Sequence, residues 1–120
     1  MRALNCQSAF PAFFALNSAK IQDDQKSKID MLVEYLQNNP AAKVKVTGYA
    51  DVNTGNPKIN KSLSEKRAGN VADALKAKGI TTDRILVDSK GDTVQPYKAP
   101  EENRVSINDI STPLEILLYR

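Results

Sequence analysis

Apolar side chains recur at helical spacing in two stretches of the chain. In the first stretch, four of them fall at positions i, i+3, i+4 and i+7 and form one face of a helix: Ile29, Leu32, Val33 and Leu36. Either Asp23 or Asp24 can cap the start of this helix, and the helix should end before Pro40, which cannot continue it.

The second stretch predicts another helix, which should end at the natural C-terminal cap Gly79. Its expected core stripe consists of Leu63, Ala68, Val71, Ala72 and Leu75. Asn60 or Ser62 can cap its start, and Glu65 completes a capping box that favours Ser62. Gly69 lies inside this helix, where glycine is unfavourable, so we expect it to permit close approach to a sheet.

Four shorter apolar runs have the character of β-strands. They cover Phe13–Leu16, Lys43–Ala50, Arg84–Ser89 and Asn103–Asn108. In the second run, Val44, Val46 and Gly48 should face inward, because side chains alternate between the two faces of a strand. The resulting order, β-α-β-α-β-β, predicts an α+β fold, a two-layer sandwich with both helices on one face of a mixed four-stranded sheet.

Size and composition narrow the classes of function. The chain has 120 residues, enough for one domain. Its net charge of +3 is mild and scattered, so we expect no nucleic-acid partner. It contains no histidine, which excludes histidine-based catalysis and ordinary histidine-containing zinc sites. No apolar run approaches the length of a membrane helix, and only five residues precede Cys6, so we expect neither membrane insertion nor lipidation of this chain.

One loop carries candidate binding chemistry. Asp51 follows the second strand, and Arg67 lies on the helix that the loop enters. Residue by residue, Asn53 and Gly55 are ordinary turn formers, and Arg67 could make a surface ion pair. A loop between a strand end and a helix start also forms a crevice with free backbone N–H groups, which suits a carboxylate. Asp51 and Arg67 together would then match a zwitterionic amino-acid centre.

A series of motifs resembles one known family. The strand end Gly48–Asp51 matches a G-x-x-D pattern, and Asn60–Ala68 matches N-x-x-L-S-x-x-R-A. Three further parts fall in the family's order: Lys78–Ile80 with Asp83–Ile85, Gly91–Pro96, and Asn103–Val105. The chain resembles the peptidoglycan-binding domain of OmpA-type outer-membrane proteins, peptidoglycan-associated lipoproteins and flagellar stator proteins. The resemblance covers residues 13–108, leaving residues 1–12 as an N-terminal extension and 109–120 as a C-terminal tail.

The resemblance implies non-covalent binding of cell-wall peptidoglycan through the diaminopimelate of the Gram-negative stem peptide. By this analogy Asp51 receives the ammonium of the ligand and Arg67 its carboxylate. The rest of the pocket would come from the loop residues Val52, Asn53 and Thr54 and from the side chains of Asn60 and Leu63. No cofactor and no catalysis are implied. The domain would be periplasmic, part of an outer-membrane-associated protein that it anchors to the cell wall, with the membrane attachment outside this chain.

The sequence departs from the family pattern at three places. Tyr49 stands where many members have a histidine. The loop from Asp51 to Asn60 is one residue longer than is usual in the family. The common NRRV motif appears as Asn103–Val105 with one arginine fewer, so Arg104 is not counted among the predicted site residues.

Two other functions compete with wall binding. A wall-cleaving enzyme could pair carboxylates such as Asp51, Asp88 and Asp92, but neither a supporting spacing nor a positioned nucleophile accompanies them, so we expect no enzyme. A protein-interaction or dimerisation domain is the alternative function. It is suggested by the apolar tail Leu114–Leu118, which could make the chain a homodimer.

Overall fold

The computed structural model describes residues 9–111, which contain four strands and two helices. In chain order these are β1 (Ala9–Phe13), α1 (Lys26–Asn38), β2 (Lys43–Gly48), α2 (Pro57–Ala77), β3 (Ile85–Ser89) and β4 (Val105–Ser111). Short 3-10 turns precede α1, β3 and β4. The predicted order β-α-β-α-β-β and the α+β class are confirmed.

The four strands form one mixed sheet in the order β1-β4-β2-β3. β2 and β3 are parallel, whereas β4 runs antiparallel to both of its neighbours, β1 and β2. In this register Val44 lies between Ile85 and Ile110, so the three side chains share one face of the sheet. That face packs against buried residues of both helices in one cluster, which places both helices on the same side.

The predicted helical faces are largely confirmed. Ile29, Leu32, Val33 and Leu36 of α1 are all buried. On α2, Ala68, Val71, Ala72 and Leu75 are buried, and Leu63 is half-buried. The core is therefore a layer of aliphatic side chains between two helices and a sheet, which stabilises the fold through removal of apolar area from water.

The predicted caps of both helices are wrong. α1 begins at Lys26, after a 3-10 turn over Asp23–Gln25, and no side chain caps it. Asp23 instead makes an exposed ion pair with Lys26 at 3.0 Å. α2 begins at Pro57, several residues before the predicted Asn60 or Ser62. Its cap is Asn56, whose side-chain oxygen accepts from the Ile59 N–H at 2.9 Å.

The position of Pro57 explains the early start of α2. Proline is favoured in the first turn of a helix because its missing N–H has no partner there anyway. The predicted loop from Asp51 to Asn60 is therefore shorter than expected, and Asn60 lies on the helix rather than at its cap.

The first strand was predicted too late in the chain. It covers Ala9–Phe13 rather than Phe13–Leu16. Pro11 is tolerated because β1 is an edge strand, where a missing backbone donor need not break a ladder between two neighbours. Beyond the strand, Leu16 is 58% exposed and Asn17 has a positive φ of 54°, so the chain turns there. β1 and β4 thus extend beyond residues 13 and 108.

The close approach between α2 and the sheet occurs at a different glycine from the one predicted. A side chain at Gly69 would meet open space, so the expectation for that residue is wrong. A Cβ at Gly48, in contrast, would overlap the backbone carbonyl oxygen of Ser64. Gly79 does end the helix as expected, with φ +97° and its N–H donating to the Lys76 carbonyl at 3.0 Å.

Two features of the sequence lie outside the described residues: Cys6 and the apolar tail Leu114–Leu118. Between residues 9 and 111, neither helix combines the length and the apolar character needed to cross a membrane.

Candidate functional site

The loop between β2 and α2 is organised around Asp51, whose side chain is 2% exposed. One carboxylate oxygen, Oδ1, accepts from the Asn53 N–H at 2.8 Å and closes a local turn. The other, Oδ2, pairs with NH1 of Arg104 at 3.0 Å. The carboxylate is therefore satisfied within the protein, and its charged partner comes from the chain just before β4.

Asn60 holds this loop against the first turn of α2. Its Nδ2 group lies within hydrogen-bonding distance of three acceptors: the carbonyl oxygens of Asp51 (3.3 Å) and Thr54 (2.8 Å), and Oδ2 of Asp92 (3.0 Å). The side chain is 2% exposed. Because a buried amide is costly unless it is paired, this set of bonds fixes the shape of the loop.

Two polar residues that follow β3 in the chain connect to the loop between β2 and α2. The Gln95 side chain accepts from the Val52 N–H at 3.1 Å and donates to the Ala50 carbonyl at 2.9 Å. Asn103, buried just before β4, donates to the Gln95 side-chain oxygen at 2.9 Å. Sequence reasoning did not count these residues as part of the site, although both lie in motifs that carry the family resemblance.

Arg67 lies in the middle of α2 and its side chain is fully buried. Nε donates to the Ser18 carbonyl at 2.9 Å, NH1 to the Tyr49 carbonyl at 2.9 Å, and NH2 to the Ala15 carbonyl at 3.3 Å. The guanidinium carbon also lies 5.4 Å from the centre of the Phe14 ring. Arg67 thus ties the segment after β1 to the end of β2.

Burial is the main cause that lowers the pKa of Arg67, to about 10. The positive charge of Arg104 lowers this pKa further, and the negative charge of Asp51 opposes the shift. The guanidinium therefore remains protonated at neutral pH. Among the described ion pairs, however, Asp51 is joined to Arg104 and not to Arg67.

Tyr49 directly follows β2, at the start of the loop that leads to α2. Its backbone carbonyl accepts the Arg67 bond, whereas its phenol is half-buried. Burial raises the pKa of this phenol, and the carboxylates of Asp109 and Asp88 raise it further. We find Tyr49 in contact with the site through its backbone.

A groove runs between the segment after β1 and the first turns of α2. One part has a volume of about 440 Å³, and its lining residues are Leu16, Asn17, Thr54, Gly55, Ile59, Asn60 and Leu63. An adjoining part of about 400 Å³ shares Asn17, Ile59 and Leu63 with the first. It adds Ala19, Ser62 and Lys66. The groove therefore has mostly apolar walls with a cation at one end.

The predicted site residues occupy different places around this groove. Thr54, Asn60 and Leu63 line it. Val52 is 53% exposed, and Asn53 is exposed next to it on the loop. Asp51 and Arg67 are both buried, and neither is among the residues that line the groove.

Charge and ligand chemistry limit what this arrangement can do. Asp51, Arg67 and Arg104 together carry a net charge of +1, which favours an anionic group over a cation. Within residues 9–111, no group of three or more acidic or cysteine side chains is placed to hold a metal ion. The arrangement suits non-covalent recognition of a polar molecule that carries a carboxylate.

The family assignment rests on a match that spans most of the chain. The model of the OmpA family matches residues 13–108, which include the loop after β2 and the whole of α2. The chain belongs to the OmpA family. Domains of the OmpA family are non-catalytic.

Several known proteins are similar to this OmpA-family chain. Outer membrane protein 40 of Porphyromonas gingivalis is 40% identical over 95 residues, which cover 79% of this chain and 25% of that protein. Peptidoglycan-binding protein ArfA of Mycobacterium tuberculosis is 35% identical over 89 residues, which cover 74% of this chain and 27% of ArfA. The chain thus spans about a quarter of the length of these two relatives.

A solved structure supports the same OmpA-like fold. The peptidoglycan-associated lipoprotein of Burkholderia pseudomallei superposes with a TM-score of 0.78 at 22% sequence identity. The superposition covers 84% of this chain and 89% of that one.

Proposed function

We propose that this domain binds peptidoglycan without catalysing a reaction on it. The observation that carries the proposal is the OmpA-family match over residues 13–108. Two of the similar proteins are named for peptidoglycan, one as a binding protein and one as an associated lipoprotein. Relatives named as outer-membrane proteins further support a periplasmic role in tethering the outer membrane to the wall.

The proposed ligand group is the diaminopimelate of the stem peptide. Its free amino-acid centre carries an ammonium and a carboxylate, which match the charges of Asp51 and of the two arginines near it. The apolar walls of the groove, which include Leu63, would hold the aliphatic part of the peptide. The net charge of +1 carried together by Asp51, Arg67 and Arg104 favours a ligand that brings an additional carboxylate.

Each predicted site residue then has a proposed role. Asp51 receives the ammonium, and the backbone of Val52–Thr54 forms the lip over it. Because Asp51 is 2% exposed, this lip must shift when the ligand enters. Asn60 keeps the lip in place through its bonds to the carbonyls of Asp51 and Thr54. Direct contact between Arg67 and the carboxylate stays a prediction, since it requires one of the three carbonyl bonds of Arg67 to be exchanged.

Calorimetric titration with two synthetic stem peptides tests this proposal. One peptide carries diaminopimelate at its third position and the other carries lysine, which keeps the ammonium but lacks the second carboxylate. We expect the diaminopimelate peptide to bind about 10- to 100-fold more tightly, the range expected for losing a charge-assisted hydrogen bond. Equal affinity for the two peptides would show that diaminopimelate is not the group that the domain recognises.

Variants of the protein provide the matched controls. Asp51→Asn should weaken binding to the diaminopimelate peptide and to purified sacculi, whereas Asp73→Asn, an exposed carboxylate on α2, should not. If the wild-type domain neither releases heat with the peptide nor sediments with sacculi, the proposed function is wrong. Thermal unfolding of each variant separates lost binding from lost folding.

A further inference from the structure

The part of the groove with a volume of about 400 Å³ is lined by three side chains that can donate hydrogen bonds. Lys66 and Ser62 are four residues apart on α2, so they lie on the same face of the helix. Asn17 lines this part of the groove from the segment after β1. All three residues are exposed, so a ligand in the groove can reach an ammonium, a hydroxyl and an amide.

The charge of Lys66 is not used by another described side chain. The positions three and four residues away from it on α2 carry no acidic side chain. Lys61 on the same helix, in contrast, pairs with Glu65 at 3.5 Å. Lys66 takes part in none of the ion pairs formed within residues 9–111. An anionic ligand group therefore meets this ammonium without displacing a described carboxylate.

The wall of the groove that carries Asn17 is fastened to α2. Nδ2 of Asn70 donates to the Ala19 carbonyl at 2.7 Å, and Nε of Arg67 donates to the Ser18 carbonyl at 2.9 Å. Asn17 itself has a φ of 54°, a left-handed conformation that asparagine adopts more readily than most residues. These bonds hold this end of the groove in shape before a ligand arrives, which lowers the ordering cost of binding.

A carboxylate is the ligand group that fits this end of the groove. None of the residues that line either part of the groove is acidic, so Lys66 sets the sign of its charge. Lys66 lies six residues beyond Asn60 on α2, about 9 Å along the helix axis at 1.5 Å per residue. Roughly two to three residues of extended peptide have this length. The diaminopimelate side chain and one neighbouring residue of a stem peptide together cover it.

We propose that Lys66 is a specificity-determining residue that binds a second carboxylate of the stem peptide, with Ser62 and Asn17 donating hydrogen bonds to the same group. Two residues next to diaminopimelate carry such a group. The γ-linked D-glutamate before it has a free α-carboxylate, and the D-alanine after it has the C-terminal carboxylate. This inference rests on the proposed peptidoglycan binding and assigns a contact in the groove beyond the diaminopimelate centre.

Calorimetric titration with three stem tetrapeptides tests the inference and distinguishes the two carboxylates. The parent peptide has both groups free, the second peptide has the glutamate α-carboxylate amidated, and the third has its C-terminus amidated. Affinities are measured for the wild-type domain, for Lys66→Met and for Lys58→Met. Lys58 is the matched control because it is exposed on the same helix and does not line the groove. Both substitutions remove one positive charge, so their difference isolates the contact from the general field.

At least one amidation should weaken wild-type binding by about 3- to 10-fold, the range for one hydrogen bond to the ligand, and it identifies which carboxylate is bound. The same amidation should change the affinity of Lys66→Met by less than about 1.5-fold, whereas Lys58→Met keeps the wild-type penalty. Lys66→Arg should also keep the penalty, since it retains the positive charge. Asn17→Gly, which allows the same φ but lacks the amide, should reduce the penalty by about twofold.

Three results would overturn the inference: wild-type binding that neither amidation weakens, a full amidation penalty in Lys66→Met, or an equal loss of the penalty in Lys58→Met. If Lys66→Met fails to fold, Lys66→Gln carries the same comparison. A wild-type domain that binds none of the three peptides would show that the proposed function, and this inference with it, is wrong. Tight binding of the parent peptide with no effect of either amidation would contradict the role of Lys66 alone.

Discussion

Two arginines hold opposite ends of the domain by the same chemistry. Near the end of β2 that leads into the candidate site, the Arg67 side chain donates hydrogen bonds to three backbone carbonyls. One follows β2 and two belong to the segment after β1. Arg84 lies at the other end, where its Nε and NH2 donate to the carbonyls of Leu36, Asn39 and Ala42 at distances between 2.7 and 3.0 Å. These carbonyls belong to the end of α1 and the turn that follows it, where a positive charge is also favoured by the helix dipole.

The difference between the two ends lies in what surrounds each arginine. Arg84 is half-buried, whereas Arg67 is fully enclosed and has the charged pair Asp51–Arg104 as its neighbour. Bonds from a buried arginine to backbone carbonyls therefore do not by themselves identify a ligand site. The distinguishing feature of the site end is a second arginine with donors that no described residue uses.

Removing Arg67 should produce the largest loss of stability. Arg67→Met leaves three carbonyls without their donors in the interior, and we expect the free energy of unfolding to fall by about 3–5 kcal/mol. Denaturant unfolding measures this change. Lys66→Met, an exposed neighbour on α2, is the matched control and should cost less than about 0.5 kcal/mol. A loss near 1 kcal/mol for Arg67→Met would mean that the site end does not depend on this arginine.

Substitution of Gly48 tests a second feature of the end of the domain that carries the candidate site: the close contact between β2 and α2. Gly48→Ala places a Cβ against the Ser64 carbonyl oxygen, and backbone atoms cannot move aside as a side chain can. We expect destabilisation of about 2–4 kcal/mol in thermal or denaturant unfolding. Gly69→Ala, where the added methyl meets open space, should instead stabilise the helix by about 0.5–1 kcal/mol. If both substitutions changed the free energy of unfolding in the same direction, the close contact at Gly48 would be contradicted.

Removing Arg84 should have the smallest effect of the three. Arg84→Met frees the carbonyls at the end of α1, but water can reach this half-buried position and replace part of the lost bonding. We expect the free energy of unfolding to fall by about 1–3 kcal/mol. Peptidoglycan-peptide affinity should remain within about twofold, since Arg84 lies at the opposite end of the sheet from the candidate site. If Arg84→Met lowered the free energy of unfolding more than Arg67→Met does, the end of the domain at Arg84 would depend on its arginine more than the end at Arg67.

Local patterns in the sequence predicted the layers of the fold well. Both helical faces and the inward-facing Val44 and Val46 follow from spacing alone, because burial of one face requires that spacing. Boundaries were less predictable. The cap of α2 depends on Asn56 and Pro57, which read equally well as turn residues, and β1 includes Pro11, which is allowed only because its strand is at the edge.

The site was harder to predict because its bonds join distant parts of the chain. The motif identified Asp51 and Arg67 as charges near one loop, but the carbonyls that Arg67 binds include those of Ala15 and Ser18, which no local spacing relates to it. The ion pair of Asp51 with Arg104 spans 53 positions. Such contacts are fixed only once β1, β2 and β4 lie side by side in the sheet.

The central position of β4 also determines when the domain can fold. β4 is the last described strand in the chain, yet it lies between β1 and β2, and β1 pairs with no other described strand. A chain that emerges N-terminus first, from a ribosome or across a membrane, cannot pair its first strand until residues 105–111 have appeared. Because such long-range pairing slows folding, the domain should stay open, and exposed to proteases and chaperones, until its final segment arrives.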